Sequence, residues 1–244
     1  MPPAAPKVFL TAEWRNLAML NYETEPSVLA PFVPAGTELD SWQGRTYVSI
    51  VAFLFLRTRV RGAPIPFHQN FEEVNLRFYV RRLSHEGWRR GVVFIKELVP
   101  RFAIAFIARQ FYNENYLAVP MRHHFEKHQG ELKSAHYCWR YRGQENYVKL
   151  AIAGPAKPLA DGSAEEFITE HYWGYARQRD GSTMEYRVDH PRWKVWQAQH
   201  IEFHCQAADL YGDKFAPFLS APPASAFLAD GSDVKVYQGV KLSQ

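Results

Sequence analysis

The chain has 244 residues, of which 47% are hydrophobic and 15% aromatic, and a formal net charge of +4. That length suits one large domain or two small ones, and the apolar content supplies a core rich in strand-favouring aromatics, which excludes a disordered chain. The basic excess is interleaved with acidic residues, Arg81-Arg82 and Arg89-Arg90 being only short clusters, so no nucleic-acid partner is expected.

Cys138 and Cys205 stand in no metal or redox spacing, and the first residues contain no apolar signal core, so the expected location is cytoplasmic. The longest apolar run, residues 48–56, is too short to span a bilayer and is followed by Arg57 and Arg59, so no membrane association is expected.

Residues 14–22 read as a first strand, and residues 25–32 as a short helix with Pro26 at its first position. Residues 46–59 form a long strand rich in Val, Ile and Phe, which residues 62–66 break before the next strand. In that strand, residues 71–82, alternate side chains share a face. Val74, Leu76, Phe78 and Val80 make an apolar side, while Glu73, Asn75, Arg77 and Tyr79 line the other. The strand at 91–99 is apolar on both faces, a pattern that implies cover on both sides, yet it carries Lys96 and Glu97 near its middle. A buried ionised group must be paired or change protonation. Glu73, Arg77, Lys96 and Glu97 therefore belong either to a structural ion-pair network or to a ligand cavity.

After Pro100, residues 101–112 suit a mostly buried helix. Strands at 131–142 and 147–153 flank Gly143 as a hairpin. Ser163-Ala-Glu-Glu166 is a capping signal for a helix entering residues 167–175. The last third holds strands at 183–189 and 193–205, a short helix at 207–215 and a strand at 234–237. No internal repeat or domain-separating linker interrupts the chain, so residues 1–244 are expected to form one domain.

The order of the strand at 71–82, the segment 91–105, the segment Tyr112 to Met121, Glu170-His-Tyr-Trp-Gly-Tyr175 and His190-Pro-Arg-Trp193 resembles the YqjF-like proteins (DUF2071), a family of unknown function grouped with the acetoacetate decarboxylase-like superfamily. The resemblance covers nearly the whole chain. It implies a mainly β (α+β) fold, a β-barrel of mostly antiparallel strands with a few packed helices and a central cavity. The decarboxylases of that superfamily form a Schiff base on a lysine that follows a Gly-Arg-Glu helix. The matching helix end here looks like Ala108-Arg109-Gln110, which keeps the arginine, but the loop that follows has Leu117 and Ala118, neither of which can form an imine. Decarboxylase chemistry is not expected at that place.

Three functions remain open. The first is a barrel that binds a small organic molecule, an anion held by Arg77, Arg109 or Lys96 being the natural case, since a guanidinium binds carboxylate through two directed hydrogen bonds. The second is a lyase-type enzyme with Lys96 as nucleophile and Glu73 or Glu97 as acid or base, because a desolvated lysine has a lowered pKa. The third is a structural domain with a filled barrel. Glu73, Asn75, Arg77, Lys96, Arg109, His171, Tyr172, Trp173 and Tyr175 are the ligand-binding candidates, the aromatic run at 171–175 supplying polar-tipped rings near a helix end. His190-Pro-Arg-Trp193 admits the same cavity reading, although the turn role of Pro191 favours structure. His200, Glu202 and His204 would share a strand face, and His124 and His128 a helix face, but two imidazoles do not make a site, so no metal and no cofactor are expected. The partners expected are a small-molecule ligand and, at most, further copies of the same chain.

Overall fold

The computed structural model describes residues 6–100 and 115–242. Among them sixteen strands run in chain order. They are β1 (Val8–Glu23), β2 (Glu38–Leu39), β3 (Tyr47–Val60), β4 (Ala63–Pro64), β5 (Phe71–Ser84), β6 (Gly87–Val99), β7 (Tyr116–Ala118) and β8 (Met121–His128), followed by β9 (Glu131–Tyr141), β10 (Gln144–Ile152), β11 (Lys157–Pro158), β12 (Trp173–Arg177), β13 (Thr183–Asp189), β14 (Lys194–His204), β15 (Ser225–Tyr237) and β16 (Val240–Lys241). The protein is therefore mostly β, and its strands join one sheet in the order β16-β13-β12-β6-β5-β3-β1-β15-β14-β10-β9-β8. A further pairing of β13 with β15, through Val188 with Val236 and Asp189 with Lys235, links the two arms of that path. Strands β1, β3, β5, β6, β12, β13 and β15 thus form a closed circuit of pairings.

The alternation in β5 divides two cores. Val74, Leu76, Phe78 and Val80 face one apolar cluster together with Val48 and Ile50 of β3, and β9, β10 and the C-terminal helices cover it through Tyr137, Trp139, Leu150 and Phe215. Leu76 and Phe78 are fully buried, each worth about 1.5–3 kcal/mol of transfer free energy. Glu73, Asn75, Arg77 and Tyr79 face the second side and are also buried. This face is not the solvated one that its charges suggest, because the circuit closes over it.

Strand β6 carries an irregularity that decides which of its side chains face inward. Leu76 pairs with Lys96 and Arg77 pairs with Phe94, so Ile95 is an extra residue opposite a regular partner strand, a β-bulge. Ile95 and Lys96 consequently lie on the Leu76 side, while Phe94 and Glu97 lie on the Arg77 side.

Three expectations need correction. The Ser163 hydroxyl does cap a helix by accepting from the Glu166 N–H at 3.1 Å, but the helix spans only Ala164–Thr169. Residues 173–177 are strand β12 instead, since Gly174 disfavours helix and the aromatic run pairs with β13 and, in parallel, with β6. His124 and His128 lie on strand β8, paired with β9, and not on a helix. The helix expected at 207–215 is broken by Gly212, at φ +94°, into Ala207–Tyr211 and Ala216–Leu219. The short helix starting at Pro26 spans Pro26–Leu29. The helix expected at 101–112, with Arg109, lies outside the described residues. No described helix is long and apolar enough to cross a membrane.

Candidate functional site

Residues of the circuit's strands line a cavity of about 140 Å³. Its walls are mainly aromatic, including Trp14, Phe55, Phe71, Phe94, Trp173 and Trp193, and its polar groups include Glu73, Arg77, Glu97, Thr169, His171 and His190. Apolar walls with a few converging polar groups are the usual build of a small-molecule site.

Arg77 is carried by β5, and its Nη2 donates to the Ile168 carbonyl at 3.2 Å. Its Nε is buried without a hydrogen-bond partner, and its guanidinium carbon lies 5.7 Å from the centre of the Tyr79 ring. Arg77 belongs to none of the ion pairs found among the described residues. Glu73, two positions earlier, accepts from Asn75 Nδ2 at 3.0 Å, so Asn75 stands behind the cavity wall as a support for Glu73.

His171 follows the end of the helix Ala164–Thr169 and is buried. Its ring packs against Tyr79, with centroids 4.7 Å apart, and edge-on against Phe167 at 5.4 Å. Its Nε2 approaches Asp40 Oδ2 at 3.7 Å, longer than a hydrogen bond, and neither ring nitrogen has a hydrogen-bond partner among the described residues. Asp40 is held instead by Arg90 Nε at 2.7 Å and by the Ser41 N–H at 2.9 Å. Burial drives the His171 imidazole down to about 4, outweighing the raising influence of Asp40, so the ring is neutral near pH 7. Burial also pushes the Asp40 carboxyl up, but the adjoining imidazole and the Arg90 guanidinium more than offset it and bring it to about 2.

His190 lies between Tyr172 and Trp193, stacked on both with centroids 4.7 and 4.3 Å away. Burial lowers its pKa. A polar chain crosses the sheet beside the site, from Tyr79 Oη to Ser49 Oγ at 2.7 Å and on to Asn21 Oδ1 at 2.6 Å.

The structure gathers Glu73, Arg77, Glu97, His171 and Trp173 around one cavity. It does not bring Lys96 there. The bulge turns Lys96 to the opposite face, where Nζ donates to the Leu210 carbonyl and burial lowers its pKa. As to the two alternatives for Glu73, Arg77, Lys96 and Glu97, no ion pair among the described residues joins the four to one another. Tyr172 reaches the site only through its stack on His190, and its hydroxyl donates to Glu170. Tyr175 belongs to the other apolar cluster. Asp40, Arg90 and Phe94 were not singled out by sequence. Asp40 has no signal of its own and arrives through the pairing of Leu39 with Val80. No three His, Cys, Asp or Glu side chains among the described residues are arranged to hold a metal ion.

Fold and cavity together define the class. Acetoacetate decarboxylase from Legionella pneumophila superposes with a TM-score of 0.67 at 14% identity, covering 100% of this chain and 92% of that one. MppR, an enduracididine biosynthesis enzyme complexed with pyruvate, does so with a TM-score of 0.67 at 10% identity, over 99% of this chain and 92% of that one. The protein thus has an acetoacetate decarboxylase-like fold. Within that class, residues 11–233 match DUF2071, described as an uncharacterized conserved protein, and the chain belongs to this family. Its similarity to YqjF of Bacillus subtilis (strain 168) is 25% identity over 198 residues, 78% of this chain and 74% of that protein.

Proposed function

We propose that the closed circuit of strands acts as a barrel whose interior binds a small carboxylic acid with an aromatic or branched apolar body, without covalent attachment. The observation that carries this reading is Arg77, a buried guanidinium with a free Nε and no ion pair among the described residues, on the wall of an otherwise apolar cavity. A buried charge left uncompensated is costly, and a carboxylate that enters opposite it is held by charge-assisted hydrogen bonds while its body displaces water from the aromatic walls. MppR, which shares the fold, is complexed with pyruvate, itself a small carboxylate. Both cysteines are free, in keeping with action in the reducing cytoplasm.

The test is a calorimetric titration with pyruvate, benzoate and phenylacetate, followed in parallel by fluorescence of the cavity tryptophans. At least one acid should bind, and Arg77→Met should weaken it by about 1.5–3 kcal/mol, the worth of a hydrogen bond to a charged group. Absence of binding across the series, or an unchanged affinity in the variant, would overturn the reading.

A further inference from the structure

The geometry points to His171 as a second recognition group in the cavity, one that hydrogen-bonds a hydroxyl on an aromatic acid whose carboxylate is held by Arg77. This inference rests on the binding reading above. A histidine kept for structure normally spends its nitrogens on protein partners, because a buried unsatisfied polar atom costs about 1–3 kcal/mol. His171 spends neither among the described residues, although it is buried and lines the cavity. Asp40, the acid that faces it among the described residues, is already satisfied by Arg90 and by the Ser41 N–H, and stands at 3.7 Å from Nε2. It steadies the ring electrostatically without occupying it.

The location suits a ligand with two polar ends. Arg77 and His171 touch the same Tyr79 ring, at 5.7 and 4.7 Å from its centre, so one small molecule can reach both. The walls between are aromatic, which favours an aryl body by offset or edge-on stacking. The charged groups around the imidazole are Asp40, Arg90 and Arg77; with two cations and one anion beside it, and burial besides, the ring stays neutral. A neutral imidazole has one N–H donor and one acceptor lone pair. A hydroxyl is likewise donor and acceptor, so it can satisfy either nitrogen, whereas a second carboxylate can only accept.

The test compares phenylacetate with its 2-, 3- and 4-hydroxy derivatives by calorimetry on the wild-type chain, His171→Phe, His171→Asn and Arg77→Met. One hydroxylated isomer should bind wild type about ten-fold tighter than phenylacetate, as expected for one hydrogen bond. In both His171 variants that ratio should fall to within about two-fold, with the fold of each checked by thermal melting. Addition of the favoured isomer to 15N-histidine-labelled wild type should also shift the His171 ring nitrogens. If phenylacetate binds and depends on Arg77 but no isomer gains, or the gain survives both His171 variants, the inference is overturned and the binding reading stands. If no acid binds wild type, both fall.

Discussion

Phe94 and Glu97 sit three positions apart on one strand and yet line the same cavity. Regular alternation would place them on opposite faces, and the bulge at Ile95 is what brings them together. The same bulge sends Lys96 outward, so the only lysine of this strand cannot act on a ligand in the cavity.

Lys96→Met should therefore leave carboxylate affinity within about two-fold of wild type and change stability by no more than about 1 kcal/mol, since the side chain gives up one hydrogen bond to the Leu210 carbonyl. Incubation with keto acids and borohydride, read by intact mass, should give no lysine adduct that the variant loses. An adduct that disappears in Lys96→Met would place the lysine in the site.

Arg77 should be sensitive to shape as well as charge. Lysine keeps the positive charge but not the planar fork that meets a carboxylate with two hydrogen bonds. Arg77→Lys is expected to bind a carboxylate more weakly than wild type and more tightly than Arg77→Met. In the absence of ligand, Arg77→Met should melt no lower than wild type, because among the described residues the guanidinium's only hydrogen bond is to the Ile168 carbonyl. A collapse in melting temperature with affinity intact would make Arg77 a structural residue.

The sequence pattern carried the long strands well. Periodicity of two in residues 71–82 separated the Leu76 face from the Arg77 face, and that division is the division between the two cores. It placed Glu73, Arg77, His171 and Trp173 among the candidates, all of which line the cavity. What it could not carry was set by partners far along the chain. One inserted residue in β6 reverses the faces of Lys96 and Glu97, and a local pattern cannot register an insertion that exists only relative to β5. Asp40 and Arg90 meet across 50 positions, and the aromatic run at 173–175 becomes strand because β6 and β13 pair with it, overriding a helix signal just upstream.

The seam between β12 and β13 depends on a missing side chain, since Gly174 pairs directly with Tyr186. A Cβ on Gly174 would stand 2.1 Å from Cζ of Tyr186, which itself lines the cavity. Gly174→Ala must push that ring aside, and overpacking of this kind costs about 1–3 kcal/mol. Urea denaturation should register that loss, and ligand affinity should fall with it because Tyr186 shares a wall with the site. A variant as stable as wild type would mean that Tyr186 has room to move.

Acid should act on the protein through His171. Its imidazole titrates near the ordinary histidine value when unfolded and at about 4 when folded. Between those values the unfolded chain takes up a proton that the folded one refuses, so stability falls as pH drops from about 6.5 toward 4, by about 3 kcal/mol at about 1.4 kcal/mol per pH unit. Asp40 acts in a lower window. Its carboxyl, brought to about 2 in the fold, contributes stability above the unfolded value near 3.9, and that contribution is lost only as pH falls from there toward 2. Urea midpoints for wild type and His171→Phe at pH 7, 6, 5 and 4.5 isolate the first effect, because this range lies above the Asp40 window and the variant has no imidazole at 171 to titrate. The wild-type curve should descend steeply through this range while the variant's descends less, His190 supplying a slope of the same sign to both. Parallel curves would mean that His171 accepts its proton in the folded protein as readily as in the unfolded chain.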